Sequence, residues 1–122
     1  MTTIYQQIGE QQIRLLAKVF YEGVEKDELL RPMYPKNLAP AEERFALFLI
    51  QFFGGPTTYS DQRGHPRLRM RHFPYKIDLA ARERWMKHIT MAMEQIEVDD
   101  FTKGQMMEYF HRASLHMINQ PL

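Results

Sequence analysis

Apolar residues recur at helical spacing along most of the chain. Ile13, Leu16, Phe20 and Val24 fall on one helical face and predict a first helix from about Ile4 to Leu30. Gly9 and Gly23 weaken it, and a break is expected near Gly9. Pro32 and Pro35 stop it. A second helix is expected over AEERFALFLIQFF, with Pro40 in its first turn. Only Gln51 is polar between Phe45 and Phe53, so other structure must surround this helix. Gly54-Gly55-Pro56 ends it. A long loop is expected from Pro56 to Gly64, followed by one or two helical turns between Pro66 and Pro74. A third long helix begins after Asp78, a plausible N-cap, with Trp85, Ile89, Ala92 and Ile96 on one face and Met86 and Met93 beside it. A fourth begins near Asp99-Asp100 and turns inward Met106 or Met107, Phe110, Ser114, and Met117 or Ile118. No segment alternates as a strand does. The expected class is all-α, in one domain spanning 1–122.

Composition narrows the functional classes. The chain is 44% hydrophobic and 12% aromatic, enough for a sizeable core. Its formal net charge is only +1, unlike a dedicated nucleic-acid binder. It has no cysteine, which excludes thiolate metal sites, disulfides and covalent c-type haem attachment. No secretory signal pattern stands at the N-terminus, and the longest apolar run is far short of the ~20 residues of a membrane span. The expected setting is the cytoplasm, with no membrane partner.

One stretch departs from this balance. RGHPRLRMRHFPYKI, residues 63–77, holds five of the sixteen Lys and Arg residues and two of the five histidines, with no carboxylate between Asp61 and Asp78. In a short helix Leu68 and His72 share a stripe, with Arg67 and Arg71 beside them. Three ligands suit the pattern. A phosphate backbone would be neutralised by the arginines, but the rest of the chain is not basic. A metal would need more than His65 and His72, seven residues apart, or His111 and His116, five apart. A noncovalent haem would take one imidazole, cations for its propionates and an apolar slot between helices. A solid helical bundle with a solvated arginine face also fits.

The longer pattern GGPTTYSDQRGHPRLRMRHFPYKI, with RPMYPKNL upstream and RERWM downstream, resembles the truncated haemoglobins of group II. FYEGV, AEERFALFLIQFFGGP and HMINQP extend the resemblance over nearly the whole chain. It implies a two-over-two helical sandwich around haem b, with a mostly extended segment before the proximal helix. It implies that His72 is the proximal iron ligand. Arg71 and Tyr59 match positions that meet the propionates, with Arg44 a further candidate. Leu38, Leu68, Tyr75 and Ile77 complete the expected haem contacts, the last three on the proximal side. Tyr21, Tyr34 and Trp85 match the distal hydrogen-bond donors, and Ala41, Phe45 and Phe48 shape the distal pocket. Tyr34 stands where other members have Phe, Phe45 where they often have Leu or Gln, and Tyr75 where Phe is more usual. Ala41 fills the place of the distal histidine of full-length globins.

The resemblance implies binding of dioxygen, carbon monoxide and nitric oxide. Tyr O–H and Trp N–H can donate to the negative charge that dioxygen acquires on ferrous iron. Each such bond is worth about 1.5–3 kcal/mol, so slow oxygen release is expected. An alternative is nitric oxide dioxygenation or peroxide reduction. No GxGxxG motif is present, so that chemistry would draw electrons from an external reductase. A monomer or a homodimer is expected.

Overall fold

The computed structural model describes residues 2–121. Among them every regular element is helical: α1 Ile4–Glu25, a 3-10 turn Arg31–Met33, α2 Ala39–Phe52, α3 Thr58–Arg63, α4 Leu68–His72, α5 Leu79–Met93 and α6 Asp100–His116. α1 packs on both α2 and α5, α5 packs on α6, and α2 packs on α3.

A capping box opens α1. The Thr3 hydroxyl accepts from the Gln6 backbone N–H at 3.0 Å, and the Gln6 side chain accepts from the Thr3 N–H at 2.9 Å. The expected break is at Gly9, with φ 83°. Ile13, Leu16, Phe20 and Val24 form the buried face, joined by Ala17 and Tyr21. α1 ends at Glu25 and not near Leu30. The reason is Asp27, whose Oδ1 accepts from the N–H groups of Leu29 and Leu30 at 2.9 and 3.1 Å. That local bonding folds the chain into a turn.

α2 has Pro40 in its first turn and ends at the double glycine, as expected. Gly54 has φ 100°, and a Cβ there would sit 2.5 Å from the Thr3 side chain. The start of α1 packs into that space, and the Tyr5 N–H donates to the Phe53 carbonyl at 2.9 Å.

The expected loop over 56–64 is instead the short helix α3. Gln51 accounts for it. Its amide donates to the Ser60 hydroxyl at 2.8 Å, and its carbonyl accepts from the Ser60 N–H at 2.9 Å. The one polar residue in the apolar run of α2 therefore holds α3 in place. Six residues are too few for a stable isolated helix, so only this tertiary contact makes the segment helical.

α5 is capped by Asp78, whose carboxylate accepts from the Ala81 N–H at 2.8 Å. Asp99 caps α6 through Thr102 at 2.7 Å. Ile89, Ala92, Met93 and Ile96 are buried as expected, as are Met106, Phe110 and Ser114. Trp85 and Met86 are only partly buried and pack at the core's edge. Two polar residues share the buried side of α5, Arg82 and His88.

Candidate functional site

The core is not filled. A cavity of about 300 Å³ opens between the helices, at the lower end of the roughly 300–1,000 Å³ of ligand pockets. Its wall draws on every helix. α1 contributes Phe20 and Tyr21, and the turn after it contributes Met33 and Tyr34. α2 contributes Ala41, Arg44, Phe45, Phe48 and Leu49, and α3 contributes Tyr59. Leu68 and His72 come from α4, Tyr75 and Ile77 from the strand-free segment after it. α5 supplies Ala81, Arg82 and Trp85, and α6 supplies Tyr109, Phe110, Ala113, Ser114 and Met117.

His72 is the one histidine on this wall. Its Nδ1 lies 2.6 Å from the Leu68 carbonyl. A carbonyl only accepts, so Nδ1 carries the proton and the lone pair is left on Nε2. Two further contacts fix the backbone around it. The Asn119 side chain accepts from the Ile77 N–H at 2.9 Å and donates to the carbonyls of Tyr75 at 2.8 Å and His72 at 3.3 Å. Asn119 thus ties the end of the chain to the segment leaving α4.

Three of the other histidines are otherwise engaged. His65 Nδ1 accepts from the Arg67 N–H at 3.1 Å, His111 Nδ1 meets Arg82, and His88 pairs with Asp27. No group of three or more His, Asp or Glu side chains converges to hold a metal ion among the described residues. A side-chain metal cage is therefore not what the two histidines of 63–77 build.

An aromatic cluster forms one region of the wall. Tyr21 and Tyr34 meet edge to face with ring centroids 5.5 Å apart. Phe45 lies 6.0 Å from Tyr21 and 6.4 Å from Trp85, so its ring stands between a phenol and the indole. Phe20 backs the group at 5.1 Å from Phe45 and 5.3 Å from Trp85. Burial pushes both phenols up in pKa. The charge of the Tyr34 phenolate would raise Tyr21 further, while the hydrogen bond with Tyr21 offsets part of the rise at Tyr34, which still reaches about 12. Both stay protonated at any ordinary pH, so both remain hydrogen-bond donors.

Of the residues singled out in the sequence, twelve line this cavity and two do not. Arg71 turns away: its Nε donates to the Pro66 carbonyl at 2.7 Å and a terminal nitrogen to the Arg63 carbonyl at 3.0 Å. Leu38 packs against the core at the start of α2, off the cavity wall. The cations on the wall are Arg44 and Arg82.

A family model for bacterial-like globins matches residues 3–119. The chain belongs to this family. It is 35% identical over 120 residues to group 2 truncated haemoglobin YjbI of Bacillus subtilis, covering 95% of this chain and 88% of that one. A thermostable haemoglobin from the actinobacterium Thermobifida fusca superimposes with a TM-score of 0.96 at 48% identity, over 99% of this chain and 100% of that one. The group II truncated haemoglobin of Bacillus anthracis does so with a TM-score of 0.95 at 33% identity, over 100% and 95%. The globin is thus a group II truncated haemoglobin, and its helices form the two-over-two sandwich of that group.

Globins hold haem, and the cavity of this globin suits one. It is mostly apolar, it offers one imidazole with a free Nε2, and it carries cations on its wall. Phe45 crowds the aromatic side of it. Phe45→Leu should raise the rate of carbon monoxide association several-fold in flash photolysis, at a stability loss of about 1 kcal/mol.

Sequence reasoning missed Arg82 and the network behind the aromatic cluster. Arg82 is 7% exposed. Its guanidinium donates to the Ser114 hydroxyl at 3.0 Å, meets His111 Nδ1 at 2.8 Å and pairs with Glu83 at 2.9 Å. It ties α5 to α6 one turn before Trp85. The signal available was an arginine three residues before Trp85, on the same helical side.

The second network joins α5 to the end of α1. Asp27 is 5% exposed, and its Oδ2 lies 2.6 Å from His88 Nε2. Arg84 reaches Asp27 Oδ1 at 3.2 Å. Burial alone would raise the Asp27 pKa. The hydrogen bonds from His88 and the Leu30 and Leu29 amides, with Arg84 nearby, outweigh it and hold the carboxylate at about 2. Gly23 leaves room for the imidazole, since a Cβ there would meet His88 Nδ1 at 2.5 Å. Trp85 lies within a turn of Arg84 and His88 on α5, and Tyr21 lies two residues before Gly23 on α1.

Proposed function

We propose that this globin binds haem b noncovalently through His72 Nε2 and holds dioxygen, with carbon monoxide and nitric oxide as further ligands. The observation that carries the reading is the His72 imidazole on the wall of an apolar cavity that also presents two phenols and an indole. The haem supplies a reducible iron at which a diatomic gas can bind. His72 gives that iron a neutral imidazole whose tautomer is set by the Leu68 carbonyl. Tyr21, Tyr34 and Trp85 donate hydrogen bonds to a polarised diatomic ligand. Ala41 would offer no imidazole to compete with a gas for the iron. Arg44 serves the propionates, and the apolar wall excludes water.

Slow release of oxygen follows from the donors. A hydrogen bond to a charged acceptor is worth about 1.5–3 kcal/mol, which is roughly 10- to 100-fold in affinity. Trp85→Phe keeps an aromatic ring and removes the N–H. Its oxygen dissociation rate, read by stopped flow with carbon monoxide replacement, should rise by about that factor. An unchanged rate would remove Trp85 from the donor set. Tyr21→Phe should act in the same direction. The double variant should lose less than the product of the singles, because the donors share one acceptor.

The founding experiment is an absorption spectrum of the purified protein, reduced with dithionite, with and without carbon monoxide. A sharp Soret band that shifts with carbon monoxide supports haem and gas binding together. Protein refolded with haem that shows no specific Soret band would end the reading.

A further inference from the structure

The basic stretch at 63–77 is only partly used by the cavity. His72 faces inward, and Arg71 bonds the backbone of its own loop. Arg67 and Arg69 remain on the outside of α4. A shallow open groove runs between α4 and α6, and Arg67, Arg69, Met70, Arg112 and His116 line it. Phe73, beside it, is 56% exposed and Met70 is 51% exposed. Arg69 is held in place, with its Nε donating to the His116 carbonyl at 3.1 Å and its guanidinium 5.3 Å from the Phe73 ring centroid. Arg112 pairs only loosely with Glu108, at 3.8 Å with both side chains exposed.

Two features mark this face as more than a solvated one. Arginine, methionine and an aromatic ring exposed together, with few carboxylates, are the composition of protein interfaces. Arg67 is also the one non-glycine residue with positive φ among the described residues, at 44°. Such a conformation is unfavourable for a long side chain and is retained where the surroundings demand it. The groove also shares Leu68, Tyr109, Ala113 and Met117 with the cavity. The two are therefore separated by a single layer of side chains.

We infer that this face docks a small acidic one-electron carrier protein, which reduces the haem iron across that layer. The inference rests on the haem reading above and deepens it. The carrier gives up one electron and is oxidised, the ferric iron accepts it and becomes ferrous, and no bond is made or broken. Charge complementarity selects the carrier, since the face is cationic while the whole chain carries only +1. Redox encounters need little area, often under roughly 1,200 Å², which a groove between two helices can provide.

The test uses the haem-loaded full chain and a two-iron plant-type ferredoxin as the acidic probe. The comparison variant is Arg67→Asn with Arg112→Gln. Neither residue lines the cavity, and Asn tolerates the left-handed backbone at 67. Binding to immobilised oxidised ferredoxin should weaken as salt rises. The double variant should bind about tenfold more weakly, as for loss of two exposed ion pairs. Its Soret band should match the wild type, and the second-order rate of reduction by reduced ferredoxin should fall in parallel. Three results would overturn the proposal: no wild-type binding at low salt, equal binding and reduction in the variant, or displacement of ferredoxin by inorganic phosphate at matched ionic strength. The last would make the groove a small-anion site. The Soret band is recorded on every sample, so failure of the haem reading appears there and separately from failure of docking.

Discussion

Asp27→Ala is expected to destabilise the protein by about 2–4 kcal/mol, since it leaves the buried His88 imidazole and the Leu30 amide without their acceptor. The carboxylate serves four donors at once: His88, Arg84 and the amides of Leu29 and Leu30. Its loss strands the buried His88 imidazole and opens the turn that ends α1. Thermal or denaturant unfolding of the haem-loaded protein would measure the change, and a loss under 1 kcal/mol would show that the network is incidental. The pH dependence has a definite sign. The folded carboxylate titrates at about 2, below its ordinary 3.8. Its contribution is therefore complete above about pH 4 and is lost as pH falls through 2, to the extent of about 2 kcal/mol. Asp27→Asn should flatten that acid limb while keeping an acceptor for the two amides. Because the network joins the turn after α1 to the middle of α5, the two helices that carry Tyr21 and Trp85, both variants should also broaden the stretching band of bound carbon monoxide.

His72→Gly is expected to weaken haem binding by more than about 100-fold. Outer-shell partners of a metal ligand already account for about 10- to 100-fold, and this substitution removes the proposed ligand itself. The residual Soret band should lose its wild-type position, and added imidazole should restore it by entering the vacated space. Asn119→Ala makes a graded companion. It keeps the imidazole but removes three hydrogen bonds around the segment that carries it. A wild-type Soret band and carbon monoxide shift in His72→Gly without imidazole would exclude His72 as the iron ligand.

Much of this was readable along the chain, and the failures share a cause. The long helices carry their own signals: apolar residues at helical spacing, Asp78 and Asp99 as caps, and Gly54-Gly55-Pro56 as a stop. Five of the singled-out residues on the wall, Tyr59, Leu68, His72, Tyr75 and Ile77, fall in the long and specific motif from Gly54 to Ile77, the other seven fall in stretches before and after it, and the structure brings all twelve to one wall. Arg71 and Leu38 were not separable from them by sequence. Their positions in the motif say nothing about where a guanidinium or an isobutyl group turns. α3 does not show in the sequence because six residues carry too little local preference, and its partner Gln51 lies in another helix.

The sequence by itself determined the all-helical class, the break at Gly9, the ends of α2, and the stretch that carries the iron-ligand candidate. Those follow from local effects, namely periodicity, capping, and the backbone limits of glycine and proline. The tertiary structure alone decided that the core is left open by about 300 Å³. It alone decided that His72 takes the tautomer with Nδ1 protonated, and that Phe45 stands between Tyr21 and Trp85. It alone paired Asp27 with His88, 61 residues apart, and sent Arg71 to its own loop while Arg67 and Arg69 stayed outside. Each of these depends on which groups meet after packing. A carbonyl, a carboxylate or a ring edge acts over about 3–6 Å, and residues distant in sequence come that close only in the folded chain.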